Sequence, residues 1–351
     1  MFTRPFRELA AYSPRTLLFT LLVVFPLTFI GCPRTPNRTG NANSSNPPTS
    51  TSSPERLASS FDGERAFEHV RRQVEFGPRP AGSAELERTR AYIIDQLKSY
   101  GLTITTDEFH PVTPIGDKRI VNVTAELPGE SSEVIIISSH YDTKLFKQFN
   151  FVGADDAGSS TGALMEIARV LASNGRKPRL TYWFVFFDGE EAFCENWDQC
   201  KNPNPSDPKS KLPDNTYGSR RYIAQLEERN QLRRVRAMIL LDMVGYKDLR
   251  FGRDDMSTPW LVDIVWRTAR ELGYGAEFVD QHEGVGGDDH EPFLRAGIDS
   301  LDIIQLNSYP YWHTKEDTLD KVSAKSLKIV GDVVLASLSQ IEERLTRKGS
   351  R

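Results

Sequence analysis

The chain has 351 residues, of which 38% are hydrophobic and 26% are charged, and its formal net charge at pH 7 is -4. This composition is typical of a globular protein that can bury a sizeable core. The sequence has no basic excess and no cluster of lysine and arginine interleaved with aromatic residues, so nucleic acid is excluded as an expected partner.

The first 32 residues have the pattern of an export signal. Arg4, Arg7 and Arg15 precede the apolar run LLFTLLVVFPLTFIG, and Cys32 follows Gly31 directly. The run FIGC resembles a bacterial lipoprotein signal, in which the cysteine is lipidated and becomes the new N-terminus. A plain membrane anchor is the alternative, but the run is short for a full span. Either way, we expect an exported chain anchored to a membrane on its periplasmic or cell-surface side.

A polar segment separates this signal, residues 1–32, from the rest of the chain. From Pro33 to Pro54 the sequence is almost free of apolar side chains, so it cannot bury enough surface to offset the entropy of ordering. We therefore predict a disordered tether over residues 33–58 and a single catalytic domain over residues 59–347.

Two amphipathic helices open the predicted domain. Apolar residues recur at helical spacing in FDGERAFEHVRRQVEF and again in SAELERTRAYIIDQLKSYG, where Ser83 is the expected N-cap and Gly101 follows the last turn. Beyond them, LTITTDEFHPV and IVNVTAELPG alternate in the manner of half-buried strands.

The middle of the chain alternates short apolar strands with helices. EVIIISSHYD and LTYWFVFFDGEE are predicted strands, and STGALMEIARVLASNG and GSRRYIAQLEE are predicted helices. AMILLDMVG, WLVDIVWRTARELG, AEFVD, EPFLRAG and SLDIIQL continue the alternation, and SAKSLKIVGDVVLASLSQIEERL closes the chain as a long helix. This order predicts a single three-layer α/β/α sandwich around a mixed, mostly parallel central sheet.

Polar residues at the ends of the predicted strands form the candidate site, because ligands of such sheets bind beyond the carboxyl ends of the strands. Imidazole and carboxylate groups without cysteine suit zinc in a hydrolytic or Lewis-acid role, whereas calcium prefers oxygen ligands alone. One such residue would more often be a structural hydrogen-bonding group, but several at successive strand ends favour a metal site. They are His140, Asp156, Glu191, Asp242 and His313.

The segment FFDGEEAF places Glu190 and Glu191 side by side at a strand end. Neighbouring side chains there point in different directions, so one carboxylate can bind a metal ion while the other accepts a proton. The cation would also relieve the repulsion between the two charges. A solvated loop is the alternative, which the apolar flanks FVFF and AF disfavour.

Five segments, in this order, resemble the zinc aminopeptidase family that acts on free N-termini, and within it the glutaminyl-peptide cyclotransferases. They are HYDTK, GADDAGSSTG, FFDGEEAF, LLDMVG and YWHTKEDTLDKV, and the resemblance spans about residues 76–345. It implies a zinc exopeptidase-like fold and a peptide or protein with a free N-terminus as substrate. Asp156, Glu191 and His313 would then bind a single zinc ion, and Glu190 would be the catalytic acid and base.

The same resemblance assigns further residues. Asp288, in GDDHEPFLRAGI, would join the hydrogen-bond network of the catalytic residue Glu190. Trp197 and Trp312 would line the substrate pocket. Lys144, in HYDTKLF, matches a lysine of the cyclase segment and is expected among the substrate-binding residues. The implied reaction converts an N-terminal glutamine to pyroglutamate and releases ammonia.

A zinc aminopeptidase is the alternative activity, since GADDAGSSTG is closer to the aminopeptidase pattern and Asp302 falls where cyclases carry a histidine. In that case His140 and Asp242 would hold a second zinc ion, and Glu190 would activate water to hydrolyse an N-terminal residue. A surface binding protein that has lost catalysis is a third hypothesis, and the intact set of candidate ligands argues against it.

Cys194 and Cys200 are the only cysteines after Cys32. In an oxidising compartment they could close a small disulfide loop, and two free thiols are the alternative.

Overall fold

The computed structural model describes residues 60–194 and 213–348. Helices α1 to α7 cover Gly63–Phe76, Ala84–Ser99, Ser160–Ser173, Tyr217–Glu228, Pro259–Glu271, His290–Arg295 and Ala324–Lys348. Strands β1 to β10 cover Thr103–Phe109, Val112–Thr113, Gly116–Asp117, Ile120–Leu127, Val134–His140, Thr181–Phe187, Val235–Asp242, Phe251–Asp254, Phe278–Glu283 and Ser300–Ile304. A turn of π-helix covers Ala154–Ser159, and 3-10 turns cover Leu232–Arg234 and Leu319–Lys321.

The central sheet has six strands in the order β1, β4, β6, β5, β7, β10. Strands β6, β5, β7 and β10 run parallel to one another, whereas β4 is antiparallel to both β1 and β6. The sheet is therefore mixed and mostly parallel, which confirms the predicted architecture. Two smaller sheets accompany it, the antiparallel pair of β2 and β3 and the parallel pair of β8 and β9.

Helices cover both faces of this sheet, so the domain has three layers. In β5, Ile135 and Ile137 face the core formed mainly with α1, α2, α3, α5 and α7. Val134 and Ile136 face the opposite core, which includes apolar residues of α4 and α6. Strands buried on both faces carry apolar residues at every position, which explains the continuous run VIII in the sequence.

Local capping fixes where the first two helices begin. The Asp62 carboxylate accepts hydrogen bonds from the backbone N–H groups of Glu64 and Arg65, at 3.0 and 3.1 Å. Ser83 caps α2 by accepting the N–H of Leu86 at 3.1 Å, as its sequence pattern predicts.

Two elements differ from the sequence-based expectation. Strand β8 pairs with β9. It was not predicted, because its four residues show little apolar periodicity. No helix was predicted directly before α3, where the turn of π-helix covers Ala154–Ser159 and Asp156 departs from helical dihedral angles (φ -104°, ψ 94°).

Several expectations concern residues outside the described ranges. The export signal with Cys32, the tether, Trp197 and Cys200 all lie there, so they stay predictions, as does pairing of Cys194 with Cys200. Within residues 60–194 and 213–348, no helix is both long enough and apolar enough to span a membrane.

Candidate metal centre and active site

The site lies at one edge of the sheet because four parallel strands end there. His140 is the last residue of β5 and Asp242 the last of β7. Glu190 and Glu191 follow β6 in the loop before α4, and His313 lies in the loop after β10. The strand-end argument therefore identifies the side chains that the fold brings together.

One group of candidate ligands joins Asp156, Glu191 and His313. One donor atom from each lies within 4.8 Å of the others. His313 Nε2 is 3.2 Å from Glu191 Oε1 and 3.4 Å from Asp156 Oδ2. Among the described residues, the buried Glu191 Oε2 finds no hydrogen-bond partner. Such an unpaired carboxylate oxygen beside an imidazole and a second carboxylate fits a metal ligand.

A second group shares Asp156 with the first and adds His140 and Asp242. His140 Nε2 lies 3.3 Å from Asp156 Oδ1 and 3.3 Å from Asp242 Oδ1. Asp156 thus directs one oxygen to each imidazole, which is the position of a carboxylate able to bridge two metal ions. The donor set fits either one ion or two.

The loop that carries Asp156 is held by Asp317, which lies four residues beyond His313. The buried Asp317 carboxylate accepts the backbone N–H groups of Asp155 and Asp156, at 2.9 and 3.2 Å, and the Tyr309 hydroxyl at 2.6 Å. The same carboxylate therefore fixes the loops that carry two of the candidate ligands.

A glycine is required where this loop turns. Gly153 has φ +50°, and a Cβ atom there would lie 1.9 Å from the Asp156 carbonyl oxygen. His313 (φ 56°) and Met243 (φ 42°) also occupy the left-handed region, which non-glycine residues rarely adopt and which concentrates at functional sites.

Asp142 holds the backbone of the two adjacent glutamates in place. Its carboxylate accepts the backbone N–H of Glu190 at 3.2 Å and of Glu191 at 3.3 Å, and its Oδ1 lies 3.5 Å from His140 Nδ1. The positions of both glutamates and of His140 thus depend on one buried carboxylate. Partners of this kind orient metal ligands and tune their basicity.

Lys144 is buried next to this loop. Its ammonium donates to the carbonyl oxygens of Ala192 and Cys194, at 2.8 and 3.0 Å, and lies 3.9 Å from Glu191 Oε2. Its position behind Glu191 indicates a support for the loop, whereas the resemblance predicts a contact with substrate.

The pKa values show how strongly these groups depend on one another. Burial opposes the charge of His313, yet Glu191 and Asp156 raise the pKa of His313 to about 9. Burial also opposes the charge of His140, but Asp242 and its other carboxylate neighbours hold the pKa of His140 well above its usual value. Burial raises the pKa of Asp242 to about 7. Protons therefore balance this negative charge wherever no cation does so.

Glu190 lines the same cavity as Glu191 but, among the described residues, belongs to none of the groups of candidate metal ligands. Burial, reinforced by the charge of Glu191, raises the pKa of Glu190 well above its usual value. A divalent ion beside Glu191 would draw this pKa down towards the range in which a carboxylate both accepts and returns protons.

The cavity next to Glu190 has a volume of about 270 Å³. This is near the small end of ligand pockets, which begin at roughly 300 Å³, so it suits one terminal residue of a chain. Trp312, 39% exposed, stacks on His313 with ring centroids 4.2 Å apart. The lining combines polar residues with an apolar wall: Asp156, Glu190, Glu191, Asp242, Asp288 and His313, with Met243, Val285, Ile304, Leu306 and Trp312.

The fold and the site define a class of protein, an α/β domain of the exopeptidase type with candidate metal ligands at one sheet edge. The chain belongs to peptidase family M28, whose family model matches residues 122–338.

Three relatives illustrate the similarity. The glutaminyl-peptide cyclotransferase of Drosophila melanogaster is 27% identical over 279 residues, which cover 72% of this chain and 75% of the relative. A glutaminyl cyclase from an Acidobacteriales bacterium is 34% identical, with a TM-score of 0.74, and covers 86% of this chain and 100% of its own. A Zn-dependent exopeptidase from Parabacteroides distasonis is 27% identical, with a TM-score of 0.69, and covers 78% of this chain and 97% of its own.

These similarities confirm the predicted family and the predicted fold class. They also confirm the prediction of an enzyme, since its cyclotransferase relatives are acyltransferases. Sequence reasoning did not assign roles to Asp142 or Asp317. The only signals for them were their positions two residues after His140 in HYD and four residues after His313 in HTKED.

Proposed function

We propose that the protein is a zinc-dependent glutaminyl-peptide cyclotransferase, which converts the N-terminal glutamine of peptides to pyroglutamate and releases ammonia. The observation that carries this proposal is the pairing of a cavity-facing Glu190 with the adjacent ligand candidate Glu191, in a chain similar to glutaminyl cyclases. Asp156, Glu191 and His313 would hold the zinc ion. Bound there, zinc would supply Lewis acidity towards the γ-carboxamide of the substrate.

Glu190 is the group placed to move the proton. It accepts a proton from the α-amine, whose nitrogen then forms the bond to the γ-carbonyl carbon. Glu190 returns the proton as the bond to the amide nitrogen breaks, and ammonia leaves. Asp288, which lines the same cavity and faces Glu190 with its negative charge, favours the protonated form of Glu190 between these two transfers.

The cavity contributes by orientation. Nucleophile and electrophile belong to the same residue, so a small site that folds the glutamine side chain back on its own amine gains a high effective concentration. Trp312 and the apolar residues Ile304 and Leu306 form a wall that limits the access of water to the reacting carbonyl.

A zinc aminopeptidase with two metal ions is the second candidate. The observation that favours it is the group of His140, Asp156 and Asp242. Asp156 faces His140 with one carboxylate oxygen and His313, of the first group, with the other. In that enzyme Glu190 would take a proton from water.

A pair of peptides separates the two candidates. The purified protein is incubated with a glutamine-initiated peptide and a leucine-initiated peptide, and peptide mass and ammonia are followed. We expect ammonia and an otherwise intact peptide from the first and no change in the second. Release of free leucine as the main product would refute the cyclase, and a zinc ion bound at His140 and Asp242 in the active protein would favour the aminopeptidase.

We also propose that the enzyme is an exported lipoprotein on the periplasmic or cell-surface side of a membrane. The run FIGC, ending in Cys32 after an apolar segment, supports this proposal. Metabolic labelling with a radioactive fatty acid should mark the wild type and leave Cys32→Ser unlabelled. Equal labelling of both proteins would refute lipidation at this cysteine.

A further inference from the structure

A third group of metal-type donors shares Asp288 with the cavity and adds two residues, His290 and Asp302, that have no role in the proposed reaction. One donor atom each from Asp288, His290 and Asp302 lies within 4.8 Å of the others. All three side chains are buried, His290 completely and Asp302 with 1% exposure. They come from the start of α6 and from β10, so two separate elements build the group.

The imidazole of His290 is directed into this group without a hydrogen bond. Within the described part of the chain, neither of its ring nitrogens has a hydrogen-bond partner, and neither has either carboxylate oxygen of Asp302. Nε2 lies 3.3 Å from Asp254 Oδ2, and Nδ1 lies 3.6 Å from Asp302 Oδ2. Buried polar atoms are nearly always paired, so an unpaired Nδ1 that faces an unpaired Asp302 carboxylate indicates a missing ligand between them.

The charge of the group also calls for a cation. Asp254, Asp288 and Asp302 bring three carboxylates to one buried place, and His290 is the only basic side chain in the donor group. A single imidazolium would leave negative charge uncompensated in a medium of low dielectric constant.

We infer that Asp288, His290 and Asp302 form an additional metal site, separate from the group of Asp156, Glu191 and His313. Its donors, one imidazole and two carboxylates, suit a divalent transition metal such as zinc. The 3.6 Å between His290 Nδ1 and Asp302 Oδ2, the two atoms that would face the ion, is close to the 3.2 and 3.4 Å between His313 Nε2 and its neighbouring carboxylates.

Asp254 supplies the outer partner of this site. Its Oδ2 accepts hydrogen bonds from the backbone N–H and the hydroxyl of Ser257, at 2.8 and 2.7 Å, and faces His290 Nε2. With the proton on Nε2, the lone pair of Nδ1 is left facing Asp302. A carboxylate behind a histidine ligand is the usual arrangement at protein metal sites.

The ion would position Asp288 for the cavity. Asp288 both lines the cavity and belongs to this group, and one of its oxygens already accepts the N–H of Asp289. A cation bound to the group would fix the Asp288 carboxylate in place. The inference does not depend on which reaction the cavity performs.

Diffraction at the zinc absorption edge tests the site directly in the wild-type protein. Crystals grown with zinc should show an anomalous peak between Asp288, His290 and Asp302, in addition to the peak at His313. A filled site at His313 without a peak near His290 would overturn the inference.

Zinc content provides a second test in solution. Metal-free protein is reloaded with zinc, dialysed and analysed for metal. We expect His290→Gln and Asp302→Asn to hold one equivalent fewer than the wild type. The control is His282→Gln, which removes an exposed histidine on β9 and should match the wild type. Equal zinc in His290→Gln and wild type would overturn the inference.

The outcomes separate this site from the proposed function. Cyclase activity in a protein without an ion near His290 refutes the additional site alone. An ion near His290 in a protein that leaves glutamine peptides unchanged refutes the cyclase alone.

Discussion

Glu190 and Glu191 are adjacent in sequence but have different surroundings. Both line the cavity, but Glu191 lies 3.2 Å from His313 and 3.9 Å from Lys144, whereas Glu190 belongs to no group of candidate ligands among the described residues. Asp142 makes this division possible, because it accepts both backbone N–H groups and so fixes the direction in which each side chain leaves the loop. The pair thus separates metal binding from proton transfer.

Replacing Glu190 with glutamine should abolish turnover while zinc stays bound. Glutamine keeps the shape of the side chain but cannot accept and return the proton, a role typically worth about 10²- to 10⁴-fold in rate. The matched control is Glu191→Gln, which should lose zinc as well as activity. Turnover of a glutamine peptide and zinc content are measured together, and wild-type turnover in Glu190→Gln would contradict the assigned base.

Zinc affinity should rise with pH up to about pH 9. The carboxylates around His313 raise its pKa in the metal-free protein to about 9. Below that pH the imidazole carries a proton that zinc must displace, so each pH unit should strengthen binding by about tenfold per proton released. Competition with a chromophoric chelator between about pH 6 and pH 8 measures this slope. An affinity independent of pH would contradict protonation of the ligands.

Among the secondary-structure elements, the turn Ala154–Ser159 and the loop after β10 are joined by Asp317. The turn carries Asp156 and the loop carries His313, so the geometry of the metal group depends on the connection between them. Three donors converge on this carboxylate, from Asp155, Asp156 and Tyr309.

Asp317→Asn should weaken zinc binding by about 10- to 100-fold, the usual cost of removing an outer partner of a metal site. The amide presents one acceptor oxygen instead of two, so one backbone N–H loses its partner and Asp156 shifts. Asp320→Asn, at a nearby aspartate of which the side chain is 68% exposed, is the control and should bind zinc like the wild type. An unchanged zinc dissociation constant in Asp317→Asn would show that the loops hold their positions independently.

The sequence predicted the main helices, the central strands and the ligand candidates because their signals are local. Strand ends are visible as apolar runs followed by polar residues, and His140, Glu191 and Asp242 occupy such positions. The contacts of Asp142 and Asp317 join segments far apart in the chain, so no local pattern reveals them. Strand β8 was not predicted for a related reason. Its extended structure depends on pairing with β9 and does not show as a periodic pattern in its own sequence.

Over the whole molecule, negative charge accumulates at the carboxyl edge of the sheet. Two apolar cores hold the strands in place. Several buried carboxylates therefore lie close to one another at this edge. Burial, together with the charges of Asp288 and Asp156, raises the pKa of Asp242 and so opposes its ionisation. A fold that concentrates like charges in this way is stabilised by whatever cation binds there.

Removal of zinc should therefore lower the thermal stability of the protein. A ligand that binds only the folded state stabilises it by about 4 kcal/mol when its free concentration is a thousand times the dissociation constant. Scanning calorimetry with a chelator, and again after zinc is restored, should show a reversible fall in the melting temperature. Asp156→Asn, which removes the ligand shared by two groups, should respond less to zinc than the wild type does. The same melting temperature for the wild type with and without zinc would mean that protons alone balance the charge at this edge.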